Sequence, residues 1–192
     1  MPGGRLTVIG GGVMGLMTAY YAAPMASAVT VLEKSSVGDP ATASFGLTRS
    51  VRSDYRDAGY ARLAAEARRL WLEFQQEAGE QLLIGCGCLN LAKRTVTPDL
   101  AATYGAQSHA VLEQLRLRSE AVPAERLRER FPQFEADQGW LDADAGFADV
   151  AAVTRALTAA LRRRGVRVAE KAAPRFAGAA TAAGAAAGGA PS

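Results

Sequence analysis

One histidine and two cysteines in 192 residues leave little material for several kinds of chemistry. With His109 alone, a multi-histidine zinc or iron site has no ligand set, and Cys86-Gly-Cys88 lacks the two-residue spacer and second pair of a structural zinc site. Two cysteines at i and i+2 of one strand face the same side at the upper limit of disulfide reach, so both are expected as reduced thiols. A histidine-dependent hydrolase has no support either, because no G-x-S-x-G elbow sets a nucleophile beside His109. Long apolar runs are missing too. None approaches the roughly 20 residues that cross a bilayer, so neither a membrane span nor a membrane partner is expected. Charge of one sign is also lacking: 22 Lys and Arg against 19 Asp and Glu, spread along the chain, give no footprint for nucleic acid. Large core side chains are fewer than the 49% hydrophobic share suggests, since 41 of the residues are alanine.

A chain of this length fits one domain, or one domain with a small second lobe. Arg5 ahead of an apolar stretch looks superficially like a secretory signal, but the glycines from Gly3 to Gly15 fit a turn better, and the expected location is cytoplasmic. Leu6 to Ile9 has the pattern of a buried parallel strand ending on Gly10. Val13 to Ala23 is apolar nearly all round, as in a helix buried between layers, and Pro24 stops it. Ala28 to Leu32 is a second strand, completing a minimal parallel crossover. Ser35 to Gly46 is a loop. Tyr60 to Gln76 is an amphipathic helix whose inner stripe is Leu63, Ala67, Leu70, Trp71 and Phe74. Further on, the pattern predicts a strand over 82–91, helices over 106–117 and 124–130, and a helix over 150–164 capped by Asp149 and ended by Gly165. The arginines at 162–164 suit a solvated helix end. Val166 to Ala169 is a third parallel strand.

Gly10-Gly11-Gly12-Val13-Met14-Gly15 matches G-x-G-x-x-G between a strand and a helix, where that pattern has a mechanism. Gly10 permits the turn, Gly12 lets a pyrophosphate approach the backbone, and Gly15 lets helix and strand pack closely. The helix N-terminus, at Val13 and Met14, offers free N–H groups and about half a positive charge. Glu33, 18 residues past Gly15 at the end of the second strand, can accept both ribose hydroxyls of an adenosine. Its charge disfavours a 2′-phosphate, an effect tempered by Lys34. FAD and NAD both satisfy this fingerprint. Arg49 and Arg52 add an anion-binding element: on a helix they would share a face, where the cofactor pyrophosphate or a substrate carboxylate would relieve their repulsion. Ordinary ion pairing to Asp54 and Asp57 explains them equally well.

The order of this fingerprint, Glu33, a small-residue loop, Thr48-Arg49-x-x-Arg52-x-x-Tyr55 and the Leu70-Trp71 helix resembles the monomeric sarcosine oxidase and N-methyltryptophan oxidase group of FAD-dependent amine oxidases, within the D-amino-acid oxidase superfamily. The likeness continues through Cys86-Gly87-Cys88-Leu89, 127–132, Asp144-Ala-Gly146 and the Asp149 helix to about residue 170. It implies an α/β fold, a Rossmann-like FAD-binding parallel sheet with helices, incomplete, plus part of a smaller α+β substrate domain. It implies FAD as cofactor, contacted by the fingerprint, Glu33, Lys34, Ser44, Phe45, Thr48 and Arg49, with Arg49 against the flavin ring and Arg52 holding the substrate carboxylate. The implied reaction oxidises an amine C–N bond by hydride transfer to the flavin, giving an imine, with oxygen reoxidising the cofactor. Arg49 and Arg52 are its expected catalytic residues. No general base is assignable, and no metal is expected.

Phe45 departs from the family, in which a histidine is frequent near the flavin, and neither cysteine matches the attachment site of a covalent flavin. The family's chains are about twice as long. The expected organisation is therefore a cofactor-binding core over 1–80, a partial substrate domain over 81–148, a return helix and strand over 149–170, and an alanine- and glycine-rich disordered tail over 171–192. A truncated or frameshifted gene and a split subunit with a partner both account for that tail, and each leaves a sheet edge exposed. The expected function is oxidation of a secondary amine or N-methyl amino acid, with activity of this length of chain alone left open. Its rivals are an NAD-dependent dehydrogenase and a non-catalytic dinucleotide-binding fragment.

Overall fold

The computed structural model describes residues 3–174. In chain order the elements are β1 (Gly3–Ile9), α1 (Val13–Ala22), β2 (Ala26–Leu32), β3 (Thr48–Val51), α2 (Ala58–Ala78), β4 (Leu83–Gly85), β5 (Cys88–Ala92), α3 (Tyr104–Gln114), β6 (Ser119–Pro123), α4 (Ala124–Arg130), β7 (Gln138–Asp142), β8 (Gly146–Asp149), α5 (Val150–Arg163) and β9 (Arg167–Ala169). They form three small sheets, ordered β1-β2-β9, β3-β8-β4 and β5-β7-β6. The first is parallel throughout, with Ile9 opposite Leu32 and Val31 opposite Val168. The other two are antiparallel.

Parallel neighbours need a crossover, and α1 supplies it from a helix with apolar residues nearly all round. Its Leu16, Ala19 and Tyr20 join Val29 and Val31 of β2, Phe74 of α2 and Leu157 and Leu161 of α5 in one continuous core. Asp149 caps α5 by accepting a hydrogen bond from Ala152 N at 2.9 Å, and Gly165 takes the left-handed conformation just past its end. Asp149→Ala is expected to lower stability by about 1 kcal/mol, read as a shift of the urea midpoint with an unchanged slope.

Several expectations are corrected. β1 is an edge strand, with Leu6 36% and Ile9 59% exposed, because helices cover one face of its sheet among the described residues and no strand pairs with its outer side. The stripe read for α2 is buried only toward its C-terminus: Phe74 is in the core, whereas Leu63 is exposed, because the first turns of this 21-residue helix bury another face, that of Ala61. The strand read over 82–91 is two strands, β4 and β5, in different sheets. Gly87 breaks it with φ +76°, and the Cys86 and Gly87 N–H groups turn onto Ala145 O. The cysteines therefore flank a turn rather than sharing a strand face, and both are free thiols. Arg164 is not simply solvated: its guanidinium stacks 3.8 Å from the centre of the Tyr20 ring and pairs with Glu77. Burial, with the hydrogen bond to Glu77 adding to it, pushes the Tyr20 hydroxyl up to about 12.

Composition predicts a tail without structure over 171–192, from Lys171 onward. Instead Lys171 N donates to Ser35 O at 2.8 Å and Ala172 N to Glu33 O at 2.9 Å, so the chain continues beside the end of β2. Residues 175–192 lie outside the described residues, as does the question of how that tail arose. Among the described residues no helix is long and apolar enough to cross a membrane.

Candidate functional site

The carboxyl end of β1 delivers the chain into the glycine turn, and each glycine there has a measurable reason. Gly10 has φ +104° and its N–H extends the β1–β2 ladder to Leu32 O at 2.8 Å. A Cβ on Gly15 would lie 1.9 Å from Gly10 O, so only glycine lets α1 start this close to β1. A Cβ on Gly11 would meet the Glu33 side chain at 3.0–3.1 Å. That proximity is used: Gly11 N donates to Glu33 Oε2 at 2.6 Å, and Ser35 N donates to Oε1 at 2.9 Å.

Glu33 is 4% exposed, and the backbone N–H groups of Ser35 and then Gly11 hold its carboxyl below the usual glutamate range against the effect of burial. Ser35 Oγ adds a third bond at 3.3 Å. A carboxylate accepts about four hydrogen bonds, so two ribose hydroxyls fit only if Ser35 Oγ releases its long contact. Lys34 beside it is exposed.

Gly12 is the N-cap of α1 and has no side chain to cap it. Ser44 reaches across from the loop, its Oγ accepting from Val13 N at 3.1 Å and lying 3.1 Å from where a Gly12 Cβ would be. Gly11, Gly12, Val13, Met14, Ser44 and Arg49 line one cavity of about 460 Å³, closed on the far side by Trp71, Val153 and Leu157. The cavity combines the positive end of a helix with a largely apolar wall, which suits a ligand carrying phosphates at one end and a flat ring system at the other. The sequence reading missed its far wall. Trp71 and Leu157 were legible only as core positions, because a helical stripe does not reveal which part of it borders a cavity.

Arg49 lies on β3 opposite Ala148. Its guanidinium donates to the backbone oxygens of Thr48, Ala43 and Phe45, bracing the loop that carries Ser44. Gly46, at φ +148°, leaves room for it: a Cβ there would lie 2.5 Å from Nη1. Phe45 is 44% exposed and Thr48 is exposed at the start of β3.

Arg52 does not join this group. The helical face considered for the two arginines does not exist, because β3 is extended where it pairs with β8, and Arg52 follows its last residue. Arg52 Nη1 instead contacts Asp54 Oδ1 at 2.5 Å and Tyr104 Oη at 3.1 Å. The pairing considered with Asp54 is therefore present for Arg52. Asp57 instead caps α2 through Tyr60 N at 2.8 Å. Hydrogen bonding to Tyr104 and to Asp54 raises the Arg52 pKa further against the cost of desolvation. Nearby, Asp142 is 3% exposed and accepts from Ser53 N at 2.7 Å, and its burial pushes its carboxyl above the usual range. No pattern in the sequence marked Asn90, Tyr104 or Asp142. Among the described residues no three His, Cys, Asp or Glu side chains are grouped to hold a metal.

Comparison with known proteins fits this geometry. The family described as FAD dependent oxidoreductase matches residues 5–189. Human peroxisomal sarcosine oxidase is 30% identical over 169 residues, covering 85% of this chain and 42% of the relative. N-methyl-L-tryptophan oxidase of Yersinia pestis is 28% identical over 137 residues, covering 71% of this chain and 35% of that one. Among solved structures, L-proline dehydrogenase from P. horikoshii superposes with a TM-score of 0.75 at 22% identity, covering 89% of this chain and 45% of its own. NikD, an amino acid oxidase of nikkomycin biosynthesis, superposes with a TM-score of 0.73 at 24% identity, covering 89% and 44%. Both structural likenesses are of fold. The chain thus spans less than half the length of these relatives.

Proposed function

The chain belongs to the FAD-dependent oxidoreductase family, and from that premise we propose that it forms the cofactor-binding part of an enzyme oxidising the C–N bond of a secondary amine or N-methyl amino acid. The observation that carries this reading is the cavity in which the N-terminus of α1, capped at Val13 N by Ser44, and the apolar wall of α5 converge beside the Glu33 anchor. The first-turn N–H groups of α1 beyond Val13, which Ser44 holds, would orient the pyrophosphate there, and Glu33, beside the cavity, would orient the adenosine ribose. Arg49 braces the loop over the cavity. When bound, FAD supplies the acceptor for two electrons and a hydrogen.

The carboxylate of the amino acid falls to Arg52. Among the described residues its Nε and Nη2 make no hydrogen bond, and that edge matches a carboxylate with two parallel donors. Held there, the amino acid presents its Cα–H in one direction, which is catalysis by orientation. We assign the cofactor core to 1–80 and 149–170 and the substrate side to 81–148. Among the described residues no strand pairs with the outer edge of β1, which supports a site completed by further polypeptide or a partner subunit.

Purified chain mixed with FAD is expected to retain flavin absorbance through gel filtration. Anaerobic addition of N-methylglycine then tests the reaction by bleaching of that absorbance. Retention of FAD without bleaching would leave the 192-residue chain a binding part without turnover of its own, and retention of NAD but not FAD would overturn the reading.

A further inference from the structure

Arg52 is held by more partners than an exposed arginine ordinarily has. The Asp54 side chain, 3% exposed, accepts from Arg52 Nη1 at 2.5 Å through Oδ1. Its second oxygen, Oδ2, accepts from Asn90 Nδ2 at 2.6 Å. Tyr104 Oη donates to Asp54 O at 2.7 Å while accepting from Arg52 Nη1 at 3.1 Å. Tyr55 lies beneath the guanidinium, 4.9 Å from ring centre to Cζ. These contacts come from separate elements: Asp54 follows β3, Asn90 is on β5 and Tyr104 opens α3.

Two residues spaced i and i+2 would not keep one geometry by themselves, since the carboxylate could rotate. Asn90 removes that freedom by fixing Oδ2, which leaves Oδ1 facing Arg52. The arrangement loads one vertex of the guanidinium and spares the other edge. Nη1 meets Asp54 Oδ1, Asp54 O and Tyr104 Oη, while Nε and Nη2 make no hydrogen bond among the described residues and the side chain is 30% exposed. The Asp54 charge also offsets that of Arg52. An anion is then recognised by its fit to two parallel donors rather than by net charge, which favours a planar carboxylate.

We propose that Asp54, clamped by Asn90, is the positioning residue that fixes Arg52 with its Nε and Nη2 edge open to the carboxylate of the ligand. This rests on the reading of Arg52 as the carboxylate clamp, and two measurements on the FAD-mixed 192-residue chain separate the two ideas. The first is the side-chain ¹⁵N spectrum of Arg52, assigned by its disappearance in Arg52→Gln. A guanidinium pinned at Nη1 rotates slowly and shows resolved Nη signals, which Asp54→Ala is expected to collapse. The second is the affinity ratio of N-methylglycine to its amide, which lacks the carboxylate charge. Asp54→Ala is expected to reduce that preference about tenfold, as loss of a charged hydrogen bond does, and Asp54→Asn, which keeps an acceptor at Oδ1 once the Asn90 amide turns to accept from the new Nδ2, to hold it within about threefold.

A merely structural role would weaken both ligands equally and leave the ratio unchanged. If Asp54→Ala fails to fold, Asn90→Ala carries the test, with an expected partial loss of the preference and broadening of the Nη signals. Resolved signals and an intact preference in the Asp54 or Asn90 variant would overturn the positioning role while leaving the clamp standing. A wild-type chain that does not prefer the acid, or a preference that survives Arg52→Gln, would overturn the clamp, and the spectrum would still decide whether Asp54 holds the guanidinium.

Discussion

Gly15→Ala is expected to abolish FAD retention and to cost about 3 kcal/mol or more of stability, at the upper end of what overpacking does. The added carbon would lie 1.9 Å from Gly10 O, and the atom it meets is backbone, with no flexible end to swing aside. Relief requires α1 to move away from β1. Leu16, Ala19 and Tyr20 move with it, and they are core residues shared with β2, α2 and α5. The same motion carries the helix N-terminus out of the cavity, so binding and stability fall together. Gly12→Ala provides the contrast. Its Cβ would meet only Ser44 Oγ, at 3.1 Å, a side-chain atom that can rotate. That variant is expected to fold within about 1 kcal/mol of wild type and to lose FAD because a methyl group occupies the path of the phosphates. Urea midpoints and flavin absorbance after gel filtration measure both effects. A Gly15→Ala protein as stable as the wild type would contradict the packing argument.

Glu33→Gln is expected to lower stability by about 1–3 kcal/mol at neutral pH, because a single amide oxygen cannot accept from both Gly11 N and Ser35 N, and one buried N–H is left unpaired. The pH dependence identifies the cause. The Glu33 pKa in the folded chain lies below its ordinary value, through hydrogen bonds from Ser35 and Gly11. Its carboxylate therefore contributes stability that is complete above the ordinary glutamate range and lost as pH falls through the lower folded value. The difference between wild type and Glu33→Gln should be steady from neutral pH down to that range and shrink below it. A difference that stays constant into strong acid would mean that charge at Glu33 does not hold the turn. FAD affinity should drop in the same variant, since the adenosine ribose loses part of its acceptor.

The parts of this molecule legible in the sequence are those governed by neighbours in the chain. The glycine fingerprint, the crossover from β1 through α1 to β2, the short helix α4, the Asp149 cap and the Gly165 terminus all follow from backbone conformation or from hydrogen bonds spanning three or four residues. The family resemblance drew on the same local signals and agrees with the matched family. Legibility failed where a residue's role depends on what lies across a gap. The run over 82–91 has one uniform composition, yet a single left-handed glycine sends its halves to different sheets. Leu63 and Phe74 fall on the same stripe of α2, yet Phe74 is buried in the core and Leu63 is largely exposed.

Arg49 and Arg52 mark this boundary most sharply. The sequence determined that two arginines stand three residues apart just after a small-residue loop, and that a dinucleotide fingerprint with its acidic partner precedes them. Only the tertiary structure decided that they part company. β3 is extended by its pairing with β8, so Arg49 braces the loop at the cavity while Arg52 turns toward Asp54, Asn90 and Tyr104. The physical reason is that backbone preference acts over a few residues and is encoded where it acts. Tyr104 lies 52 residues from Arg52 and Asn90 lies 36 from Asp54, and folding alone brings them within hydrogen-bond reach.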